Sequence, residues 1–331
     1  LRRARFDQGI HRSGRERSEV DALPRVNPKG IFFTEGGALR APWRIAVFAA
    51  LSLVAVVVLS SLAQPVIGWL FGPAATMSLT AQAWLETLGA LAGTAVTLRV
   101  VDRRPWSDVW LGRDAARPSL LAFGFAIGAL AIGLPILFLL LVHWLKNGGS
   151  APGSWIAAAM RLTLFLAPAA LLEELLTRGY ILSVIREAWG WGWAVGLTSV
   201  AFGLLHVLNA GATTGSVLLV TLAGLFLAAV VYVTRSLYAA WMAHLAWNWT
   251  MAVIFHAAVS GYPMEAPGYR YVDAGPDWAT GGPWGPEGGI PAGLGMCAGI
   301  AYLLVRRRRS GLTERHGEAL DDTRRLVDQE T

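Results

Sequence analysis

Glu173, Glu174 and Arg178 interrupt the apolar run Ala170-Leu171-Leu172-Glu173-Glu174-Leu175-Leu176-Thr177-Arg178-Gly179. On a helix Glu174 and Arg178 are i,i+4 neighbours on one face, the geometry of an ion pair that can hold both charges in apolar surroundings. Glu173 is rotated about 100° from Glu174, so it looks toward different neighbours and is the carboxylate left free for chemistry. Two further pairs repeat the i,i+4 spacing, Phe202 with His206 and His244 with Asn248. Each presents a polar edge toward one side of its helix. A carboxylate and two imidazoles converging from three helices can bind and deprotonate a water, or hold a divalent metal that does so. Asn248 adds an amide donor, the kind of group that stabilises an oxyanion in acyl transfer.

The chain that carries these groups is short of ordinary surface. Its 331 residues are 54% hydrophobic and 15% charged, with a mean hydropathy of +0.47, where a soluble domain carries roughly a quarter of its residues as charges. An ordinary soluble domain and a disordered chain are both excluded. Cys297 is the single cysteine, which rules out a disulfide framework or a cysteine-ligated zinc site within one chain. What remains is an all-α fold, a polytopic bundle of transmembrane helices. The net charge of +6 comes from bases that flank apolar segments: ten lie at or before Arg44, five from Arg99 to Arg117 and seven after Leu304. That distribution follows the positive-inside bias and leaves no basic face for a nucleic acid.

A bilayer core about 30 Å thick needs about 20 helical residues per crossing. Cutting the chain at its Gly, Pro and charge clusters gives eight such segments: Trp43 to Leu62, Met77 to Arg99, Ser119 to Leu145, Ser154 to Ile185, Trp191 to Leu208, Gly215 to Thr234, Leu237 to Val259 and Ile290 to Val305. With the N-terminus inside, Arg103, Arg104, Arg113 and Arg117, then Arg186, then Arg235, then Arg306 to Arg309 all fall on the cytoplasmic side. An odd number of spans would place one Arg-rich end outside. The chain is therefore expected to divide into a basic, solvated cytoplasmic tail over 1–42, a transmembrane domain over 43–305 and a charged cytoplasmic tail over 306–331. The outer loop from Gly261 to Gly289 is acidic, with Glu265, Asp273, Asp277 and Glu287 against Arg270, and is long for a mere connection, which suits a cover over the outer face. No cleavable signal peptide is expected, because the apolar stretch begins too late and is too long.

Ionisable groups inside spans cost at least a few kcal/mol and are functional hypotheses by default. Glu86 and Arg161 belong to that set without a partner that the sequence can name. His143 and His256 read as interfacial, and Trp189, Trp191 and Trp193 as part of an aromatic belt. Strict threading puts His244 near the cytoplasmic end of its helix, Glu173 at mid-depth and His206 toward the outer end of the fifth span. A shared site therefore requires the fifth helix to be tilted, short or sunk toward the cytoplasm. Pro168 can bend the fourth span, and Gly203 permits close helix contact beside His206.

In order, spacing and helix context, Glu-Glu-x-x-x-Arg at Glu173, Glu174 and Arg178, Phe-x-x-x-His at Phe202 and His206, and His-x-x-x-Asn at His244 and Asn248 resemble the three motifs of the CPBP family. These are intramembrane proteases related to the Ras-converting CAAX endopeptidase and to bacteriocin-processing proteins. The resemblance covers 154–259 as the protease core. It implies an eight-helix intramembrane endopeptidase whose cavity opens toward the cytoplasm. Glu173 with His206 would activate the water, His244 with Asn248 would stabilise the oxyanion, and Glu174, Arg178 and Phe202 would keep the site in shape. Two cofactor states fit: no metal, or a single divalent zinc held by Glu173, His206 and His244 with one position left for water. The absence of an intramembrane His-Glu-x-x-His favours the first.

The expected partners are a membrane protein or lipidated peptide as substrate, and membrane lipid. The expected location is the inner or plasma membrane of a bacterium. Two other functions use the same residues: a non-catalytic membrane scaffold or chaperone, with the polar groups as interhelical glue, and a proton-coupled transporter. The transporter predicts internally repeated halves with paired broken helices, and the sequence shows no such symmetry.

Overall fold

The computed structural model describes residues 28–72, 76–264 and 266–329, with side chains as far as Arg309. The tail expected over 1–27 and the acid at Glu265 lie outside the described residues. Residues 28–40 form a small unit of their own. In it, helix α1 (Pro28–Phe32) leads into a bridge between Phe33 and Leu39, and Arg40 Nε donates to the carbonyls of Gly30 at 2.8 Å and Phe33 at 3.2 Å. This stretch was expected as solvated tail; the arginine closing onto two carbonyls gives it local structure.

The remainder is a helical bundle of α2 (Ala41–Phe71), α3 (Leu79–Val96), α4 (Pro118–Leu141), α5 (Trp155–Glu174), α6 (Tyr180–Leu205), α7 (Thr214–Thr234), α8 (Leu237–Trp249), the short α9 (Asp277–Thr280) and α10 (Ile290–Gln329). Wide turns of π type extend α3 over 97–102, join α5 to α6 over 175–179 and extend α8 over 250–254. Among the described residues one antiparallel pair of strands, β1 (Leu145–Asn147) with β2 (Tyr271–Asp273), ties the loop after α4 to the 261–289 loop, with Leu145 opposite Asp273. The helix starts follow capping chemistry: Ser78, Ser154 and Ser236 each accept a backbone N–H of the first turn, and Thr213 forms a reciprocal box with Ser216.

A helix covers each of the eight apolar segments, but among the described residues four stretches are long and apolar enough to cross a membrane: α2, α4, the continuous run Trp155–Leu205, and α7. The eight expected spans therefore go beyond what helix length and hydropathy alone mark out. The physical reasons are visible in the others. Gln82 and Glu86 dilute α3, α8 has 13 residues, about 20 Å of helix, and α10 passes from an apolar start into Arg306–Arg309 and on to Gln329. The chain expected as a charged tail from 306 is thus helical.

Glycines set how closely the site-bearing helices approach. On α4, Gly124 and Gly128 rest on the backbone carbonyls of Ala239 and Ala243, where any Cβ would collide. Gly203 of α6 meets Thr221 of α7 in the same way, so the close contact expected beside His206 is present. Pro168 removes an N–H from α5, and the carbonyl it frees, that of Leu164, accepts the indole N–H of Trp84 at 3.1 Å.

The continuous run from Trp155 hides a reversal. Gly190, with φ 82° and ψ 176°, breaks the helical path inside α6. It lies sixteen residues from both Glu174 and His206, about 24 Å of helix in each direction. Folding back at Gly190 therefore returns His206 to the level of Glu174. The depth conflict in the sequence reading came from measuring both residues against the bilayer, when their common reference is this turn. The first limb of the hairpin is held by a charge cluster: Arg44 pairs with Asp102 at 2.6 Å and Glu187 at 2.9 Å, Arg104 pairs with Glu187 at 2.5 Å, and Tyr180 Oη donates to Asp102 at 2.7 Å.

Open space surrounds the position a Cβ would take at Gly190 and at Gly192 alike, but only Gly190 has positive φ. Gly190→Ala is expected to lower unfolding stability by about 1–3 kcal/mol. Gly192→Ala, inside a helix, should be neutral or stabilising by up to about 1 kcal/mol. Chemical denaturation of both variants in detergent checks the pair.

Candidate active site

Glu173 and Glu174 are the last residues of α5, where the helix opens into the wide turn carrying Thr177 and Arg178. Such turns recur at functional sites because they rotate successive side chains out of register. Thr177 Oγ1 donates to the Glu173 carbonyl at 2.5 Å and accepts from Arg178 Nη1 at 2.8 Å. Arg178 Nη1 also reaches Glu174 Oε1 at 3.1 Å, and Nη2 donates to the Gly224 carbonyl of α7 at 3.2 Å. The expected i,i+4 ion pair is present, and both side chains are 0% exposed.

The guanidinium lies 4.1 Å from the centroid of the Phe202 ring, a cation on an aromatic face. Phe202 in turn touches both imidazoles, with centroids 4.9 Å from His206 and 5.8 Å from His244. One buried ring thus touches Arg178 and both histidines and helps to position all three.

Each histidine is tied through Nδ1. His206 Nδ1 lies 2.8 Å from the Phe202 carbonyl, which can only accept, so this nitrogen carries hydrogen and Nε2 of the neutral ring is the free base. His244 Nδ1 donates to Glu174 Oε1 at 2.9 Å. Both Nε2 atoms then face Glu173 Oε2, at 3.9 Å from His206 and 3.8 Å from His244. These separations are beyond hydrogen-bond length, and Glu173 Oε2 is buried without a hydrogen-bond partner, although its side chain as a whole is 33% exposed.

A cavity of about 20 Å³ adjoins the histidines, room for about one water. His206, His244, Trp247, Asn248, Ser260 and Glu287 line it. Glu173 is not among the lining residues and meets the imidazoles from another side. Asn248 stands in the cavity wall with no hydrogen bond from its side chain among the described residues. The structure therefore brings the three motifs together, with Asn248 in the cavity wall beside His206 and His244.

Glu287 was not singled out in the sequence. It accepts the Trp247 indole N–H at 2.8 Å through one oxygen, and the Ser260 backbone N–H at 2.6 Å and hydroxyl at 2.8 Å through the other. No spacing rule joins residue 287 to residue 247; the only hint is that Gly, Pro and Trp crowd the loop around it. Arg161 and His256 line a separate cavity of about 630 Å³ with Arg270, Glu86 accepts from Gln82 at 2.8 Å, and His143 is exposed after α4. None of the four joins the site. Among the described residues no three His, Cys, Asp or Glu side chains are placed to hold a metal ion, so Glu173, His206 and His244 as they stand do not fit the zinc set.

Residues 152–250 match the Rce1-like family of type II CAAX prenyl endopeptidases. This segment contains all three motifs, so the resemblance read from them is shown where the site residues lie. The matched segment lies among apolar helices long enough to cross a bilayer, as befits an integral membrane protein. No curated protein and no solved structure matches the chain.

Removing one member of a buried ion pair strands the other. Arg178→Met is expected to cost about 3–5 kcal/mol, and Glu174→Gln with Arg178→Met together less than Arg178→Met alone. Thermal unfolding in detergent of the single and double variants measures the difference.

Proposed function

We propose that the protein is an intramembrane endopeptidase in which Glu173 and His206 activate a water against a peptide bond. The observation that carries this reading is Glu173 Oε2, buried without a partner and faced by the Nε2 atoms of His206 and His244. A carboxylate and an unprotonated imidazole nitrogen are both acceptors. At the 3.9 Å between Glu173 Oε2 and His206 Nε2 they call for a donor between them, and water supplies two hydrogens.

In the proposed step the water oxygen attacks the scissile carbonyl carbon, Glu173 takes one of its protons, and His206 Nε2 holds the other hydrogen in place. The carbonyl electron pair moves to oxygen. His244, with Glu174 on one nitrogen and Glu173 near the other, is the imidazole placed to carry a proton and donate from Nε2 to that oxyanion, with the Asn248 amide as second donor. Collapse breaks the C–N bond as Glu173 returns its proton to the departing amine. Glu174, Arg178 and Phe202 hold these groups without touching substrate.

All eight long or apolar helices cross or enter the membrane in this reading, with α8 extended by its wide turn, and both termini face the cytoplasm. The substrate is a membrane protein or a lipidated peptide. A non-catalytic scaffold has one observation in its favour, the fully buried Glu174–Arg178 pair bonded to α7, which would stitch helices whether or not a bond is cleaved.

Glu173→Gln tests the proposal cleanly, because among the described residues Glu173 Oε2 has no hydrogen-bond partner to lose. Cleavage of a fluorogenic CAAX peptide, farnesylated or plain, by protein in liposomes is expected to fall about 10²–10⁴-fold, and likewise for His206→Ala. Equal cleavage by wild type and Glu173→Gln would leave only the scaffold.

A further inference from the structure

The arginines at the hairpin end of the bundle fall into two groups. Arg44 and Arg104 are neutralised by Asp102 and Glu187. Arg186 and Arg235 have no carboxylate within ion-pair distance among the described residues; aromatic rings hold them instead. Arg186 lies 5.4 Å from the Trp110 ring centroid and 5.5 Å from that of Trp191. Arg235 lies 4.4 Å from Trp191 and 5.4 Å from Tyr232, whose ring also carries Arg307 at 3.6 Å.

Arg186, Arg235 and Arg113 line a cavity of about 390 Å³ with Trp110 as a buried wall. Asp114 also lines it, as an exposed side chain that makes no ion pair. The walls come from the 107–115 loop, the start of α6 and the turn at Arg235, fastened to one another. Leu237 N donates to the Trp110 carbonyl at 3.0 Å, Ser236 Oγ to the Ala115 carbonyl at 2.5 Å, and Ser183 Oγ to the Asp108 carbonyl at 2.7 Å. Trp110 and Arg235 both adopt positive φ, so the backbone itself aims them. Partial burial, with Arg307 and Arg186 close by, pushes the Arg235 guanidinium pKa down, the sign of positive charge in want of a counter-ion.

The geometry points to a phosphate-binding site in this cavity, formed by Arg186, Arg235 and Arg113 against Trp110. Guanidinium forks suit phosphate oxygens bidentately, and stacking keeps them oriented with their N–H edges free. Trp189 and Trp193, which follow the cavity residue Arg186 in the chain, are exposed, and exposed tryptophans of this kind mark headgroup level. The phosphate within reach there is that of an anionic lipid, and free phosphate is the other source of the same chemistry. Arginines present only to orient the protein would need neither the cavity nor the ring stacks. This site is separate from the glutamate and histidines and stands or falls independently of the peptidase reading.

The test is equilibrium binding of radiolabelled dioctanoyl phosphatidylglycerol to the full chain in detergent, with inorganic phosphate as competitor. Saturable binding is expected, weakened about tenfold or more in Arg186→Gln/Arg235→Gln. Failure of inorganic phosphate to compete assigns the site to lipid headgroups, and competition at similar concentration assigns it to free phosphate. Arg113→Gln, an exposed side chain outside the ring stacks, is expected to weaken binding by about fivefold and carries the test if the double variant does not fold. Absence of saturable binding, or unchanged affinity in a folded variant, would overturn the proposal.

Discussion

A charge withdrawn from water must be answered by charge or hydrogen bonds nearby, and the Glu174–Arg178 pair imposes that demand on everything around it. Both side chains are wholly buried, a placement whose desolvation cost is several kcal/mol per ion. The answer draws in a hydroxyl from Thr177, the Gly224 carbonyl, the face of Phe202 and the Nδ1 of His244. These come from the wide turn, α7, α6 and α8 in turn. Glu174 Oε2 and Arg178 Nε are left without partners, but the contacts that are made fix the relative placement of the helices that carry the rest of the site. The set of Glu173, Glu174, Arg178 and one proton on His244 sums to zero, so a protonated His244 leaves no net charge among these groups in the apolar interior.

Helix lengths must agree with that placement. The hairpin at Gly190 gives Glu174 and His206 equal arms, and the left-handed turn at Arg235 brings Gly224 of α7 near the level of His244 on α8. Backbone contact then sets the lateral spacing: Gly128 against Ala243 and Gly203 against Thr221 leave no room for a side chain. In a bilayer, where lipid gives no hydrophobic drive for helices to associate, such close approach is a main source of packing energy.

The parts of this arrangement that follow a local period were legible in the sequence. The i,i+4 rule found Glu174 with Arg178 and, in His244 with Asn248, two residues that line one cavity. The 100° step between adjacent residues separated Glu173 from its neighbour, as the structure does. Helix positions also followed from apolar runs and breakers. Depth did not: the break between Ile185 and Trp191 is legible, but which residue turns the chain is not, and only the positive φ of Gly190 fixes the equal arms to Glu174 and His206. The crossing count was legible only in part, because counting apolar residues measures neither the 13-residue length of α8 nor the polar dilution of α3. Glu287 was illegible altogether, since its partners, Trp247 and Ser260, are joined to it by the path of a loop that carries no period.

The adjacency of two glutamates has its own logic. A lone carboxylate could not both neutralise a buried arginine and accept a proton from water, because the pairing that lowers its charge also lowers its basicity. Successive residues on one helix share depth but face directions about 100° apart, so a single helical turn can supply one carboxylate bound to Arg178 and another left free. His244 connects the two: Nδ1 rests on Glu174 while Nε2 faces Glu173. The orienting shell and the reacting shell are thus separated by one imidazole ring. Exchange of the two glutamates would leave the ion pair without its geometry and the free carboxylate without its histidines, so their order in the sequence is as much a part of the site as their presence.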